Sequence, residues 1–383
     1  MKILFLLNLD LKIKSGLFHA IHNRMKINKE QFDCKFYNII IVDSKPLKIL
    51  KKVFRKNTYD DYINDYSIVI DNVEYINIKL KNTLIGKLME KFKVEQFQYM
   101  KIIKKLECEI KNSDLIVSHW GYPHGRIAYF AKKVYKKDYV VYYHGSDINC
   151  YTRDDVKKRN KILQTMKEAK NNIFIGKALM EKIVEIGYSD KNIKYTSNGV
   201  DTDIFNLRNI KREKIIGFVG NLEFVKRAEI LPDIFERIYD KDNDVKFVVI
   251  GDGKLKDKIQ SQCFSKKIPV EFTGKLNSAD VAQYMNKFSV LVLPSKYESW
   301  GSVILEANAC GVYVVASNAG GIPQVVGSYG TLVENNDKTI VESCANEVIN
   351  ALYKDIDRQK LSSRVADFRW DKICEIEKNF ISK

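Results

Sequence analysis

Short apolar runs rich in branched residues recur along this chain at helix-sized intervals, and that alternation limits its fold more than any other feature. In the first half, KILFLLN (2–8), DCKFYNIIIV (33–42), DLIVSH (114–119), YVVYYHG (139–145) and NIFIG (172–176) read as strands. Near-continuous apolar runs suit strands covered on both faces, as in parallel sheets. Helical patterns fall between them, near 16–28, 84–111, 123–136, 154–170 and 177–186. The second half repeats the arrangement with EKIIGFVG, DVKFVVIGDG, VEFTG, VLVLPS and VYVVAS. The chain is therefore expected to be α/β, with two doubly wound halves of similar design.

A length of 383 residues suits two such domains. The turn-rich and then charged segment NGVDTDIFNLRNIKREK places their boundary near 200–213, and 358–383 reads as helical, with Phe368, Trp370, Ile373, Ile376 and Phe380 on its apolar face. The cysteines are seven, scattered, and never in a CxxC pair, which points to a reducing cytosol and away from a disulfide framework or zinc site. The opening MKILFLLNLD has an apolar run too short, and Asp10 too near, for a secretory leader; it is expected to be a buried first strand. No apolar stretch approaches the roughly 18 residues of a membrane span.

Charge is unevenly placed. Residues 1–200 hold 38 Lys+Arg against 22 Asp+Glu, whereas residues 201–383 hold 26 of each. An anionic partner of the first half is implied: nucleic acid, an anionic membrane, or an anionic substrate. Nucleic acid lacks support, because no aromatic and basic RNA-binding run, zinc finger or helix-turn-helix is present. The stretch 84–111 interleaves Lys87, Lys91, Lys93, Lys101, Lys104 and Lys105 with apolar residues. Such a helix lies on an anionic bilayer, or packs its apolar face on a sheet and leaves its lysines solvated.

The stretch that carries chemistry is VLVLPSKYESWGSVILEANACG. A buried strand ends at Pro294, a loop carries Glu298 and Gly301, and a helix begins near Ser302 and includes Glu306. In open α/β sheets, ligands sit outside the carboxyl ends of the strands, where Glu298 falls. Backbone N–H groups at Gly301, Ser302 and Val303 would form an anion site at the helix start. Glu306, about one turn further on, would accept hydrogen bonds from hydroxyls of whatever bears that anion. An anion joined to a polyhydroxylated body describes a nucleotide sugar.

Glu298 and Glu306, with the surrounding AxxxG and GGxP pattern, resemble the Glu-x7-Glu motif of retaining glycosyltransferases of the GT-B fold, in particular family 4 (glycosyl transferases group 1). That resemblance implies two facing Rossmann-like domains with a deep cleft: an acceptor-binding domain at 1–205 and a nucleotide-sugar-binding domain at 206–365, with a final helix, about 366–383, packing back on the first. It implies that Glu298 contacts the donor sugar and Glu306 the ribose hydroxyls. GFVGNLEFVKRAEIL resembles the family's glycine-rich strand end at Gly220, followed by a diphosphate-binding arginine and lysine. Lys226 matches the lysine, but Asn221 stands at the arginine position and offers neither charge nor a fork of donors. Arg227 is a candidate to compensate.

EFTGKL resembles the loop that meets the base, near Lys275 and Leu276, and YYHGSD matches the family's histidine motif, placing His144 against the sugar and leaving group. KSGLFHAIHNRM resembles the loop that lets an acceptor or phosphate approach a helix start, with Gly16 alone where relatives have two glycines. In TSNGVDTDIF, Asn198 and Gly199 shape a turn. Asp201 and Asp203 spell DxD but sit inside that turn, and no metal or other cofactor is expected. Together these features imply retaining transfer from a UDP- or GDP-sugar to a glycan acceptor, lipid-linked, in bacterial surface polysaccharide synthesis. The enzyme would be cytoplasmic, on the inner face of the membrane. Another GT-B enzyme, such as a sugar-nucleotide epimerase, is the alternative.

Overall fold

The computed structural model describes residues 1–11, 16–54, 66–83, 96–149, 155–210 and 213–382. They form two compact units. The first comprises Met1–Ile175, Leu179–Thr196 and Cys374–Lys383; the second comprises Gly176–Ala178 and Ser197–Ile373.

The first unit is built on eight strands: β1 (Lys2–Leu7), β2 (Asp33–Asp43), β3 (Ser67–Ile70), β4 (Val73–Asn82), β5 (Leu115–His119), β6 (Tyr139–Tyr143), β7 (Asn171–Ile175) and β8 (Ile193–Thr196). Their order is β3-β4-β2-β1-β5-β6-β7-β8, parallel except for the β3–β4 pair. Strand order reverses direction between β1 and β5, so a crevice is expected at their carboxyl ends. Leu4, Leu6, Ile116, Val141 and Tyr143 on the strands pack with Ile127 and Ala131 of the helix His124–Tyr135. Tyr99, Ile102 and Ile103 of the helix Gln96–Lys105 join the same core. The apolar face of that lysine-rich helix is thus taken up by the core, with Tyr99 stacked on Phe130 of the helix His124–Tyr135, while Lys101, Lys104 and Lys105 stay exposed; Lys87, Lys91 and Lys93 lie outside the described residues.

The last helix completes this unit. Arg24, fully buried on the helix Gly16–Gln31, donates from Nε to both carboxylate oxygens of Glu377 at 3.0 and 3.1 Å. Glu377 also accepts from Tyr142 Oη (3.1 Å) and Thr196 Oγ1 (3.0 Å), so the buried carboxylate is surrounded by donors. The expected helix at 366–383 is in fact a 3-10 turn, Arg364–Phe368, followed by a helix Trp370–Ser382. Its residues up to Ile373 group with the second unit and those from Cys374 with the first.

The second unit carries six parallel strands: β9 (Ile215–Val219), β10 (Lys246–Ile250), β11 (Val270–Gly274), β12 (Val290–Leu293), β13 (Tyr313–Ser317) and β14 (Gly330–Val333). Their order, β11-β10-β9-β12-β13-β14, puts the reversal between β9 and β12. The units divide after Thr196 and not at 205, because the turn that follows is tied to the second unit. Asn198 donates to Ser302 Oγ at 3.3 Å, and Val200 N–H donates to the Phe368 carbonyl at 2.8 Å.

Four strands were not anticipated. Three, β3, β8 and β14, have four residues each, lie at sheet edges and are largely half-buried; the fourth, β4, sits beside β3 and alternates polar with apolar residues. One-sided cover removes the continuous apolar run that marked the others. Among the described residues no helix is long and apolar enough to cross a membrane.

Candidate functional site

In the second unit, the residues singled out in the sequence gather at the carboxyl ends of the strands. Lys226 closes a 3-10 turn (Phe224–Lys226) that follows β9, and Glu298 lies in the loop after β12, the neighbouring strand. Lys226 Nζ donates to Glu298 Oε1, which also accepts from Ser295 Oγ at 3.3 Å. The loop is positioned through its backbone. Lys296 N–H donates to the Val225 carbonyl at 2.9 Å, and Gly321 N–H to the Glu298 carbonyl at 2.8 Å. A Cβ on Gly320 or Gly321 would stand 2.1 Å from the Glu298 carbonyl oxygen or 2.2 Å from that of Ser299, so the GGxP glycines admit this loop.

Gly301, in the left-handed region at φ 89°, caps the helix Ser302–Ala309, whose first residues Ser302 and Val303 are half-buried. Glu306 follows on the same helix. Its carboxylate makes no hydrogen bond among the described residues, and desolvation alone pushes its pKa up to about 7. An acid left unpaired and partly stripped of water is poised to accept hydroxyl donors.

Gly220, Asn221, Lys275 and Leu276 follow β9 and β11 on the same edge, Asn221 and Lys275 exposed and Leu276 half-buried. Arg227 does not take the place of the missing arginine. It is buried and its guanidinium is already committed: NH1 donates to the Pro294 carbonyl (3.1 Å) and Asn335 Oδ1 (2.6 Å), and Nε and NH2 donate to Asp337 Oδ1 (2.9 and 2.7 Å). It pins the end of β12, and its hydrogen bond, helped by its charge, holds the Asp337 carboxyl below the usual range. Asp201 is occupied too, accepting the backbone N–H groups of Asp203 (3.1 Å) and Ile204 (3.4 Å) within the anticipated turn.

In the first unit, His144 stands just beyond the carboxyl end of β6 and is 9% exposed. His119, which ends β5, was not singled out in the sequence. The β5–β6 register sets His119 beside Tyr142, and their rings stack 4.7 Å apart. Two residues on from Tyr142, His144 returns to the same face, and its Nε2 lies 2.9 Å from His119 Nδ1. Burial, with Arg24 nearby, holds both imidazoles well below the ordinary histidine pKa. Asp147 anchors the turn after His144 by accepting Gly121 N–H and Gly145 N–H, each at 3.1 Å. Gly16 opens the helix Gly16–Gln31 and is exposed; residues 12–15 before it lie outside the described residues.

Residues 200–367 match the family model described as glycosyl transferases group 1. The uncharacterized glycosyltransferase MJ1178 of Methanocaldococcus jannaschii is 30% identical over 314 residues, 79% of this chain and 82% of that protein. The chain belongs to the group 1 glycosyltransferases. The N-acetyl-alpha-D-glucosaminyl L-malate synthase of Bacillus anthracis is 28% identical to this glycosyltransferase over 283 residues, 69% of this chain and 73% of that one. Among solved structures, Anabaena HepE in complex with UDP and glucose superposes with a TM-score of 0.74 at 17% identity, covering 100% of this chain and 99% of its own. That likeness, with the two parallel-sheet units, identifies the fold of this group 1 glycosyltransferase as GT-B.

Proposed function

We propose that this group 1 glycosyltransferase belongs to family 4 and moves a sugar from a UDP- or GDP-sugar to a hydroxyl of a lipid-linked glycan, with retention at the anomeric carbon. The observation that carries the reading is the Lys226–Glu298 pair beside the capped helix start at Gly301, with unpaired Glu306 on the same helix. Lys226 and the N–H groups of Ser302 and Val303 take the diphosphate, Glu298 turns to the sugar, and Glu306 accepts the ribose hydroxyls. Lys275 and Leu276 meet the base. His144 supports the sugar and leaving group, while Gly16 opens the acceptor's approach. The leaving phosphate oxygen takes the acceptor's proton on the same face, so positioning and charge stabilisation supply the rate. No metal is required in this scheme. Relatives that include a capsular polysaccharide biosynthesis glycosyltransferase, CapM of Staphylococcus aureus, favour surface polysaccharide as the product.

The acceptor is delivered at an anionic membrane face. Supporting this is the helix Lys45–Val53, which leaves the carboxyl end of β2 and anchors itself by buried Leu47 and the Lys51–Asp43 pair (2.6 Å). Its outer arc presents Ile49, Leu50, Val53 and the following Phe54, 43 to 71% exposed, with Lys45 and Lys52 exposed beside them. Apolar residues rimmed by lysines suit a shallow seat among anionic headgroups.

The test is a thermal-shift screen of UDP- and GDP-sugars, followed by NMR of the product. A donor at 100 times its Kd should add about 2.7 kcal/mol of stability. An inverted anomer would remove the retaining assignment, and a changed sugar nucleotide with no acceptor consumed would favour the epimerase.

A further inference from the structure

The first unit buries two imidazoles edge to edge, and only one arrangement of their protons keeps an unpartnered N–H off the fully enclosed nitrogen. His119 Nδ1 and His144 Nε2 are 2.9 Å apart, so one carries the proton and the other accepts it. His119 is fully buried, and its other nitrogen, Nε2, has no hydrogen-bond partner. Were His119 protonated on Nε2, that N–H would sit in the interior without an acceptor. Buried N–H groups of that kind are rarer in folded proteins than under-used lone pairs. His119 therefore carries its proton on Nδ1 and donates it to His144 Nε2. A neutral imidazole holds one proton, so the proton of His144 is on Nδ1. That nitrogen makes no hydrogen bond among the described residues, but unlike His119 Nε2 it is not fully enclosed, since His144 keeps 9% of its surface exposed.

We propose that His119 is a positioning residue that holds His144 in the tautomer protonated on Nδ1, so that His144 offers an N–H, and not a lone pair, to the substrate. This rests on the reading of His144 as the residue nearest the reacting centre. In that tautomer His144 donates to an oxygen of the sugar or of the leaving phosphate and does not abstract the acceptor's proton. The stack of His119 on Tyr142 fixes the plane of the ring, and the turn held by Asp147 fixes the start of the segment beyond it.

The deciding measurement is a long-range 15N–1H spectrum of the full chain carrying 15N-histidine at neutral pH, with resonances assigned from the His119→Asn and His144→Asn variants. Protons on Nδ1 of both rings are expected; a proton on His144 Nε2 would overturn the proposal. Kinetics give an independent check. His119→Phe should lower kcat by up to roughly 100-fold, with a smaller change in donor KM. His119→Asn, whose amide nitrogen stands near the place of Nδ1, should recover most of the loss. His119→Gln, whose nitrogen stands near the place of Nε2, should not. Full activity in His119→Phe, or equal rescue by Gln, would sink the positioning role. Full activity in His144→Ala would instead remove the reading beneath it.

Discussion

Lys226 and Glu298 are each other's counter-ion across the carboxyl ends of β9 and β12. Both side chains are largely withdrawn from water, so a ligand that separates them must satisfy both at once. A diphosphate joined to a sugar does so, with an anion for the lysine and hydroxyls for the carboxylate. Lys226→Ala and Glu298→Ala are each expected to lower kcat by roughly 100-fold or more, the scale of a lost charge-stabilising contact. Circular dichroism should report a folded protein in both cases. A fully active variant of either would refute the assignment.

Asn221 predicts a gain of function. It is exposed, so an arginine fits there without displacing the core. Arg227 is held by Pro294, Asn335 and Asp337 and supplies no charge to a ligand in its place. Asn221→Arg should therefore tighten nucleoside diphosphate binding about tenfold, the lower end of a charge-assisted hydrogen bond. Calorimetry at two salt concentrations checks this, and the gain should shrink at high salt. An unchanged Kd would mean that the phosphates lie elsewhere.

Glu306 predicts a pH dependence. Its pKa rises from 4.5 to about 7 on folding, so the folded chain holds this proton more tightly than the unfolded chain. The associated stability is full below about pH 4.5 and is lost as pH rises through about 7. Glu306→Gln should accordingly gain on the wild type by a few kcal/mol at most at pH 8, and match it near pH 4.5. Denaturant melts at the two pH values test the sign. The same variant should bind donor more weakly at pH 8, where the wild-type carboxylate is ionised and accepts hydroxyls best.

The helix Lys45–Val53 predicts a membrane phenotype separable from chemistry. Replacing Ile49 and Val53 with Ser should abolish co-sedimentation with vesicles containing anionic phospholipid, while transfer to a water-soluble acceptor continues. Neutralising Lys101, Lys104 and Lys105 should weaken binding only at low salt, because the apolar face of their helix is buried in the core. Equal binding by the Ile49 and Val53 variant would mean that another surface makes the contact.

What the sequence revealed, and what it hid, follows from where each residue sits. Strands covered on both faces, such as β1, β6 and β12, were legible because burial demands apolar runs. Edge strands β3, β8 and β14 were not, because water on one side relaxes that demand. Glu298, Glu306 and Lys226 stood out as charges beside buried strands. His119 did not, although a clue was present: the apolar runs DLIVSH and YVVYYHG each place a histidine at or just beyond the strand end. Joining them requires knowing that β5 and β6 are parallel neighbours in a register that sets His119 beside Tyr142. The role of Arg227 was invisible for a similar reason, since Asp337 is 110 residues away along the chain.

The buried pair of Arg24 and Glu377 has a consequence for synthesis on the ribosome. The two residues are 353 positions apart, so Arg24 emerges long before its carboxylate exists. Chains generally fold from the N-terminal domain onward as they are made. Here that order is incomplete, because a nascent fragment ending at Thr196 lacks both the Glu377 carboxylate and the helix that carries it, and leaves the Arg24 guanidinium without its counter-ion. The first unit reaches its final form only after the whole second unit has been translated. Nascent chains halted between the two are expected to be the ones that need chaperones.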